Sequence, residues 1–413
     1  MEKRWTVATF GDLVTLSQGL CFNAKTNHLM SETGIPLLRI ADLINNTQTK
    51  FVDAERVPKK YIASPQDIIY TRTGQVGLVF KGKVGVVHNN CFRVIPNEQL
   101  KPDYVYWYLR QPSVIEKAKA LAGGAAQPDL AHDAFKSISL TYPDLDTQTA
   151  IVNILSSYEE LIENSQRRIK ILEAMARGLY REWFVHFRFP GHENHPRVAS
   201  VLGEIPQGWV VQKLGQVATV LRGRSYRSVD LAAEGGLPFL NLKCLDRDGG
   251  FRRSGLKKYV GEYKDSHIAR KGDIVMAVTD MTQERRIVAR AALVPTLASD
   301  FSIFSMDLVK IEPKADMPKT FLYSFLRFSS FADEVKQYAN GANVLHLSPD
   351  RISEYQFAVP PIGVVSKFAE FASPVIEQMN ALENRIGNLR RTRDLLLPRL
   401  LSGQINVEAA EHV

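Results

Sequence analysis

The sequence predicts an α+β protein: two similar β-rich α/β domains in pseudo-two-fold arrangement, joined by two long antiparallel coiled-coil helices. Three observations lead there. The chain repeats itself once, at an offset that begins at 204 residues and settles at 217. Each copy closes on a long stretch of heptad-spaced apolar residues, and the two stretches share one phase.

The repeat is ordered along the chain. Trp5-Thr-Val-Ala-Thr-Phe-Gly-Asp-Leu-Val-Thr-Leu returns as Trp209-Val-Val-Gln-Lys-Leu-Gly-Gln-Val-Ala-Thr-Val. Gly34-Ile-Pro-Leu-Leu-Arg-Ile returns as Gly236-Leu-Pro-Phe-Leu-Asn-Leu, and Asp67-Ile-Ile-Tyr as Asp273-Ile-Val-Met. Leu130, Leu140 and Pro143 recur as Leu347, Phe357 and Pro360, so longer loops in the second copy account for the growing offset. Each copy starts with short apolar runs punctuated by Gly and Pro, such as residues 67–70, 84–87 and 92–95, which read as strands. A short amphipathic helix follows, residues 104–110 and 321–327, and then a Gly-rich loop at Gly123-Gly124 and at Gly341. A last apolar strand ends at Tyr142-Pro143 or Val359-Pro360-Pro361, where a long helix begins.

The long helices are expected over roughly residues 147–183 and 364–397. Ile151, Tyr158, Leu172 and Leu179 fall on one seven-residue row of the first, broken by Ser165, and Ile154, Leu161 and Met175 on a second, broken by Arg168. Phe368, Val375, Leu382, Leu389 and Leu396 make the row of the second helix, which is the first row shifted by 217. A helix of about 35 residues spans about 50 Å, too long for one small domain to cover, so the two helices are expected to pack on each other. The domain reading is 1–145, a first domain; 146–190, a central helix; 191–358, a second domain; and 359–413, a C-terminal helix.

Composition excludes several classes. Forty-five per cent apolar and 23 per cent charged residues suit a globular protein, not a disordered or fibrous one. No run of about 18 apolar residues occurs and the N-terminus lacks an apolar signal core, so a soluble, cytoplasmic protein is expected. Cys21, Cys91 and Cys244 stand far apart and read as buried small hydrophobes. The net charge of +8 is concentrated: 14 Lys and Arg face 9 Asp and Glu in residues 1–110, and 15 face 9 in residues 222–290. Two basic regions separated by slightly acidic sequence suit two contacts with a polyanion.

The whole chain resembles the specificity subunit of Type I restriction-modification enzymes. The resemblance is carried by the duplicated plan, the Gly-Asp-Ile-apolar-apolar pattern followed by a polar loop, the Pro-Pro turn before a long helix, and the closing Leu396-Leu-Pro-Arg-Leu-Leu-Ser-Gly-Gln-Ile405. It implies that each head is a target-recognition domain reading one half of a bipartite, asymmetric site on double-stranded DNA. It also implies that the helices set the spacer and that two modification (methyltransferase) subunits dock on the chain. S-adenosylmethionine would belong to those subunits and ATP with Mg²⁺ to the restriction (translocase/nuclease) subunits, none being bound by this chain. One departure is Leu179-Tyr-Arg-Glu-Trp-Phe184, more aromatic than the matching Leu396-Leu-Pro-Arg-Leu-Leu401.

Candidate DNA-binding residues follow from side-chain chemistry. In the loop Thr71-Arg-Thr-Gly-Gln-Val-Gly77, Arg72 suits a guanine edge and Gln75 an adenine edge, with Thr73 between them; Lys81 and Lys83 suit phosphates. The matching loop Thr279-Asp-Met-Thr-Gln-Glu-Arg-Arg286 offers Gln283, Arg285 and Arg286. Arg222, Arg224, Tyr226 and Arg227 form a second candidate group after the first strand of the second head. No catalytic or metal-binding residues are expected. Gly77-Leu-Val-Phe-Lys-Gly-Lys-Val84 approaches a P-loop but has Val84 where a Ser or Thr should hold Mg²⁺. No Asn/Asp-Pro-Pro-Tyr/Phe methyltransferase motif occurs, and His186, His192 and His195 read as linker residues. Two alternatives stay open: the specificity subunit of a related system whose methyltransferase and nuclease are fused, and a coiled-coil scaffold that binds proteins.

Overall fold

The computed structural model describes residues 5–124, 126–314 and 317–407. It divides into two compact units, residues 1–163 with 388–413, and residues 164–387. Each unit therefore takes one head and a part of both long helices, whereas the sequence reading set heads and helices apart as four consecutive segments.

In the first unit, Thr6–Thr9 pairs antiparallel with Ser139–Tyr142, fastening the start of the head to its last strand. A four-stranded antiparallel sheet runs in the order Val14–Gln18, Cys91–Pro96, Ile68–Thr71, Val79–Phe80. All four residues of Ile68–Thr71 are buried, because both faces of this central strand are covered; a continuous apolar run is its sequence signature. A five-stranded mixed sheet, Met30–Ser31, Phe51–Val52, Ile35–Leu38, Gly85–Val87, Ile62–Ala63, lies in the inserted part of the head. Its pairing of Leu37 with Val86 is parallel. Helices Pro102–Leu109 and Pro112–Leu121 both carry proline in the first turn, where the missing N–H costs nothing. They cover the antiparallel sheet, burying Tyr104, Trp107, Leu109 and Val114 in one cluster with Tyr70, Phe92 and Phe135.

The second unit repeats this plan. Its antiparallel sheet is Ala218–Arg222, Leu308–Pro313, Ile274–Ala277, Ala291–Leu293, and its mixed sheet has the same order and one parallel pairing, Phe239 with Ile303. Register repeats as well: Gln18 and Tyr70 both face Phe92, and Arg222 and Met276 both face Val309. A hairpin of Arg197–Ser200 and Gly203–Pro206 precedes the head.

The long helices span Leu145–Tyr180, continued by a π turn over Arg181–Val185, and Ile362–Leu401. Asp144 starts the first: its carboxylate accepts from the Thr147 N–H at 2.8 Å. The second runs through Pro398 instead of stopping before it. Within each unit the helix segments are antiparallel. In the first unit Ile151 and Leu155 share a cluster with Leu397, Leu400 and Leu401, while Glu159, further along, pairs with Arg393. In the second, Tyr180, Trp183 and Phe184 pack around the Phe368 ring at 4.9–6.2 Å.

The first-row residues are placed as follows: Ile151, Phe368 and Leu382 are buried, and Tyr158, Leu172, Leu179, Val375, Leu389 and Leu396 half-buried. The second row needs correction. Leu161 and Met175 are exposed and Ile154 only half-buried, whereas Leu155, Ile162 and Ala176 are buried and Ile169 is half-buried. The stripe steps four residues and then three from Ile151, so its second row lies one residue later than the sequence reading put it. Cys21 is also corrected: Cys91 and Cys244 are buried, but Cys21 is exposed. Among the described residues no helix is long and apolar enough to cross a membrane.

Candidate nucleic-acid interface

At one end of each antiparallel sheet the backbone builds the same two-loop frame. In the first head, Val79–Phe80 pairs with Ile69 and Tyr70, so residues 72–78 form the hairpin loop anticipated from the sequence. A second loop, described over residues 123–124 and 126–129, lies against it: the Leu130 N–H donates to Arg72 O at 2.9 Å and the Gly74 N–H to Pro128 O at 2.8 Å. Gly123 and Asp129 exchange both backbone hydrogen bonds, closing the second loop. The second head repeats each bond. Leu347 N–H donates to Val278 O at 2.7 Å, Asn340 and His346 exchange both bonds, and Thr279 pairs with His346 as Thr73 pairs with Asp129. Both second loops turn on a glycine in the left-handed region. A Cβ on Gly124 (φ +92°) would lie 2.7 Å from Gln127 O, and one on Gly341 (φ +149°) 1.9 Å from Val344 O.

Arg72 is the centre of a polar cluster in the first head. Its Nε donates to Asp129 Oδ1 at 3.1 Å, Nη2 bonds Asp129 Oδ2, and Nη1 donates to Gln18 Oε1 at 3.2 Å. Thr73 Oγ1 also donates to Asp129. These bonds, those of Arg72 first, hold the Asp129 carboxyl below the usual carboxylate range. His132 Nε2 lies 2.7 Å from Gln18 Oε1, and burial, reinforced by the nearby Arg72 charge, pushes its imidazole below its ordinary value. The guanidinium is thus committed, and reading a guanine would require it to exchange partners. Gln75 is exposed. Lys81 is placed elsewhere: it pairs with Asp103 in a hollow that Glu159, Glu160 and Glu163 also line. That acidic setting disfavours a phosphate there. Lys83 Nζ donates to Asn46 Oδ1 at 2.7 Å.

The second head fills the frame differently. Buried Asp280 shapes the longer hairpin loop by accepting from the N–H groups of Thr282 at 2.8 Å and Ile287 at 3.2 Å. Gln283 Nε2 donates across to Ala342 O at 3.1 Å, Arg285 (φ +54°) to Gln337 Oε1 at 3.1 Å, and Arg286 pairs with Glu284 at 2.8 Å. Arg222 is exposed and holds the register position of Gln18. Arg224 Nε donates to Tyr259 OH at 3.4 Å, the Tyr226 ring stands edge-on to Phe239 at 4.7 Å, and Arg227 is loosely paired with Asp230 at 4.0 Å. Gln18, Asp129 and His132 were not anticipated from the sequence, and neither was the second loop as part of the site. The signal for that loop was present in the repeated glycines, Gly124 and Gly341.

Comparison with known proteins agrees with this duplication. The Type I restriction modification DNA specificity domain matches twice, over residues 2–174 and 206–389. The Type I restriction enzyme MjaIX specificity subunit of Methanocaldococcus jannaschii is 26% identical over 352 residues, covering 83% of this chain and 78% of the relative. The MjaVIII specificity subunit of the same organism is 22% identical over 414 residues, covering 98% and 93%. Among solved structures, the S subunit of a Type I restriction-modification system from M. genitalium aligns over 97% of this chain and 96% of its own, with a TM-score of 0.59 at 16% identity.

Proposed function

The chain belongs to the Type I restriction-modification DNA specificity family, and we propose that it supplies the sequence specificity of such a complex, each head reading one half of a bipartite, asymmetric DNA site. The observation that carries this reading is one backbone frame built twice with different side chains at matched positions. Gln18, Arg72 and Asp129 in the first head correspond to Arg222, Val278 and His346 in the second, so two unlike half-sites are expected. The basic excess of both heads supplies sequence-independent attraction to phosphates, and the loops supply base contacts.

In this reading the chain has no catalytic centre of its own. Two modification subunits dock on it and methylate DNA with S-adenosylmethionine, and restriction subunits use ATP and Mg²⁺. The long helices act as the ruler between half-sites. Inserting one heptad in each helix adds about 10 Å and is expected to lengthen the unread gap by about three base pairs.

The test is a methylation map of DNA from cells co-expressing this chain with its neighbouring modification gene. A split motif with unlike halves and a fixed gap, absent without this chain, is the expected result. No new motif, together with DNA binding that is absent or insensitive to salt, would favour the protein-binding scaffold instead.

A further inference from the structure

The side chains that the sequence singles out as readers are largely spoken for. Arg72 is bonded to Asp129 and Gln18; Gln283, Arg285 and Arg286 are bonded to Ala342, Gln337 and Glu284. A base edge is recognised by donors and acceptors that face solvent unsatisfied, because each bond already made within the protein must be given up first. Gln75 stays uncommitted on the first hairpin loop, and further uncommitted groups lie on the second loop.

We propose that the second loop of each head reads base edges beside the hairpin loop, with Gln127 and Asn343 as specificity-determining residues. Both are exposed, and neither side chain makes a hydrogen bond or ion pair within the described residues. The loops that carry them are held by backbone bonds, Gly123 with Asp129 and Gly74 to Pro128 in the first head and Asn340 with His346 in the second, to which Arg72, Thr73 and Gln283 add side-chain bonds. Gln127 reaches over the hairpin loop, its Nε2 lying 3.9 Å from where a Cβ on Gly74 would stand. The absence of a side chain at Gly74 leaves room for that amide beside Gln75, the other exposed carboxamide of this face. In the second head the hairpin loop's carboxamide, Gln283, is turned inward onto the second loop, and Asn343 is the carboxamide presented outward. A carboxamide offers a donor and an acceptor side by side, the pair that matches the N6 and N7 edge of adenine in the major groove.

The inference rests on the DNA-reading role proposed above and extends it to a loop outside the candidates drawn from sequence. It is tested with the full chain co-expressed with its modification partner, by mapping methylation for Gln127→Ala, Asn343→Ala and Gln75→Ala. Exposed loop residues leave the fold intact, and an unchanged melting temperature checks this. Gln127→Ala is expected to lower discrimination at one position of the first half-site by about 5- to 150-fold, the range of one bidentate pair, with the second half-site unchanged. Asn343→Ala is expected to do the converse. An unchanged motif with Gln127→Ala and Asn343→Ala while Gln75→Ala relaxes it would overturn the inference and leave the DNA-reading role standing. Equal loss on every sequence would also overturn it, by making the loop a phosphate contact. A chain that produces no methylated motif even unmutated fails at the earlier proposal.

Discussion

Arg393 sits on the buried stripe of the C-terminal helix, at a position whose counterparts along that helix are apolar. Its guanidinium bonds Glu159 of the first helix, and its side chain is 11% exposed against 32% for Glu159. The chain itself contains the apolar alternative. Shifting both residues by 217 gives Ile376 and Ala176 in the second unit, which are 7% and 2% exposed. Removing the arginine alone leaves a carboxylate facing a packed helix seam. A hydrogen bond to a charged group is worth about 1.5–3 kcal/mol, and partial exposure of Glu159 brings the expected loss from Arg393→Ala to about 2 kcal/mol. For a unit of this size that corresponds to about 4–8 °C in Tm. Because the second unit carries buried Ile376 and Ala176 at these two positions, and the double variant leaves no carboxylate unpaired in the seam, Glu159→Ile with Arg393→Ala should recover part of the loss even though the new pair is smaller. Thermal and urea unfolding of the full chain for the parent, both single variants and the double variant measures the coupling directly. Stability untouched by Arg393→Ala, or a double variant no more stable than the worse single one, would refute the reasoning.

Three further outcomes are expected. Asp129→Asn weakens the hold on Arg72 and removes one negative charge from the first head; discrimination at the first half-site should fall, and the salt slope of DNA binding should steepen by about one if the freed guanidinium takes a phosphate. Gly341→Ala forces a Cβ to within 1.9 Å of Val344 O at φ +149°, so it should disrupt reading of the second half-site alone, as a methylation map would show. Burial, with Glu173 adding and Arg253 and Arg327 opposing, pushes the Glu383 carboxyl up from 4.5 to about 7. A raised carboxyl contributes fully below the unfolded value and loses that contribution as pH rises through 7, so Glu383→Gln should match the parent near pH 4.5 and exceed it at pH 8 in urea unfolding.

The frame was legible because it is written twice. Repetition fixed the order of strands, the site of the hairpin loop and the phase of the first helix row. The second row was misplaced because Ile154, Leu161 and Met175 are as apolar as Leu155, Ile162 and Ile169, and a single helix does not say on which side of Ile151 the stripe continues. The repeat held the answer. Shifted by 217, the mistaken row becomes Phe371, Gln378 and Thr392, largely polar, while the observed one becomes Ala372, Met379 and Ile386. The cluster around Arg72 was not legible for a different reason. Gln18, Arg72, Asp129 and His132 meet only after strands from three parts of the head are in register, and no local pattern links positions 54 and 57 residues apart.

Frame and reading chemistry are separable in this protein. The backbone bonds between the two loops, Leu130 to Arg72 and Leu347 to Val278, persist although arginine is replaced by valine and Asp129 by His346. Side chains at the loop tips therefore carry little of the stability of a head, since backbone bonds and the buried aromatic cluster beneath supply it. Exchanging a tip residue such as Gln75 or Gln127 should alter which base is preferred without a matching loss of fold. Exchanging Gly124 or Gly341 breaks the frame itself, because no other residue accepts that backbone at so small a distance from the opposing carbonyl. A head built in this way can change its half-site through a few exposed positions while its partner head continues to read its own.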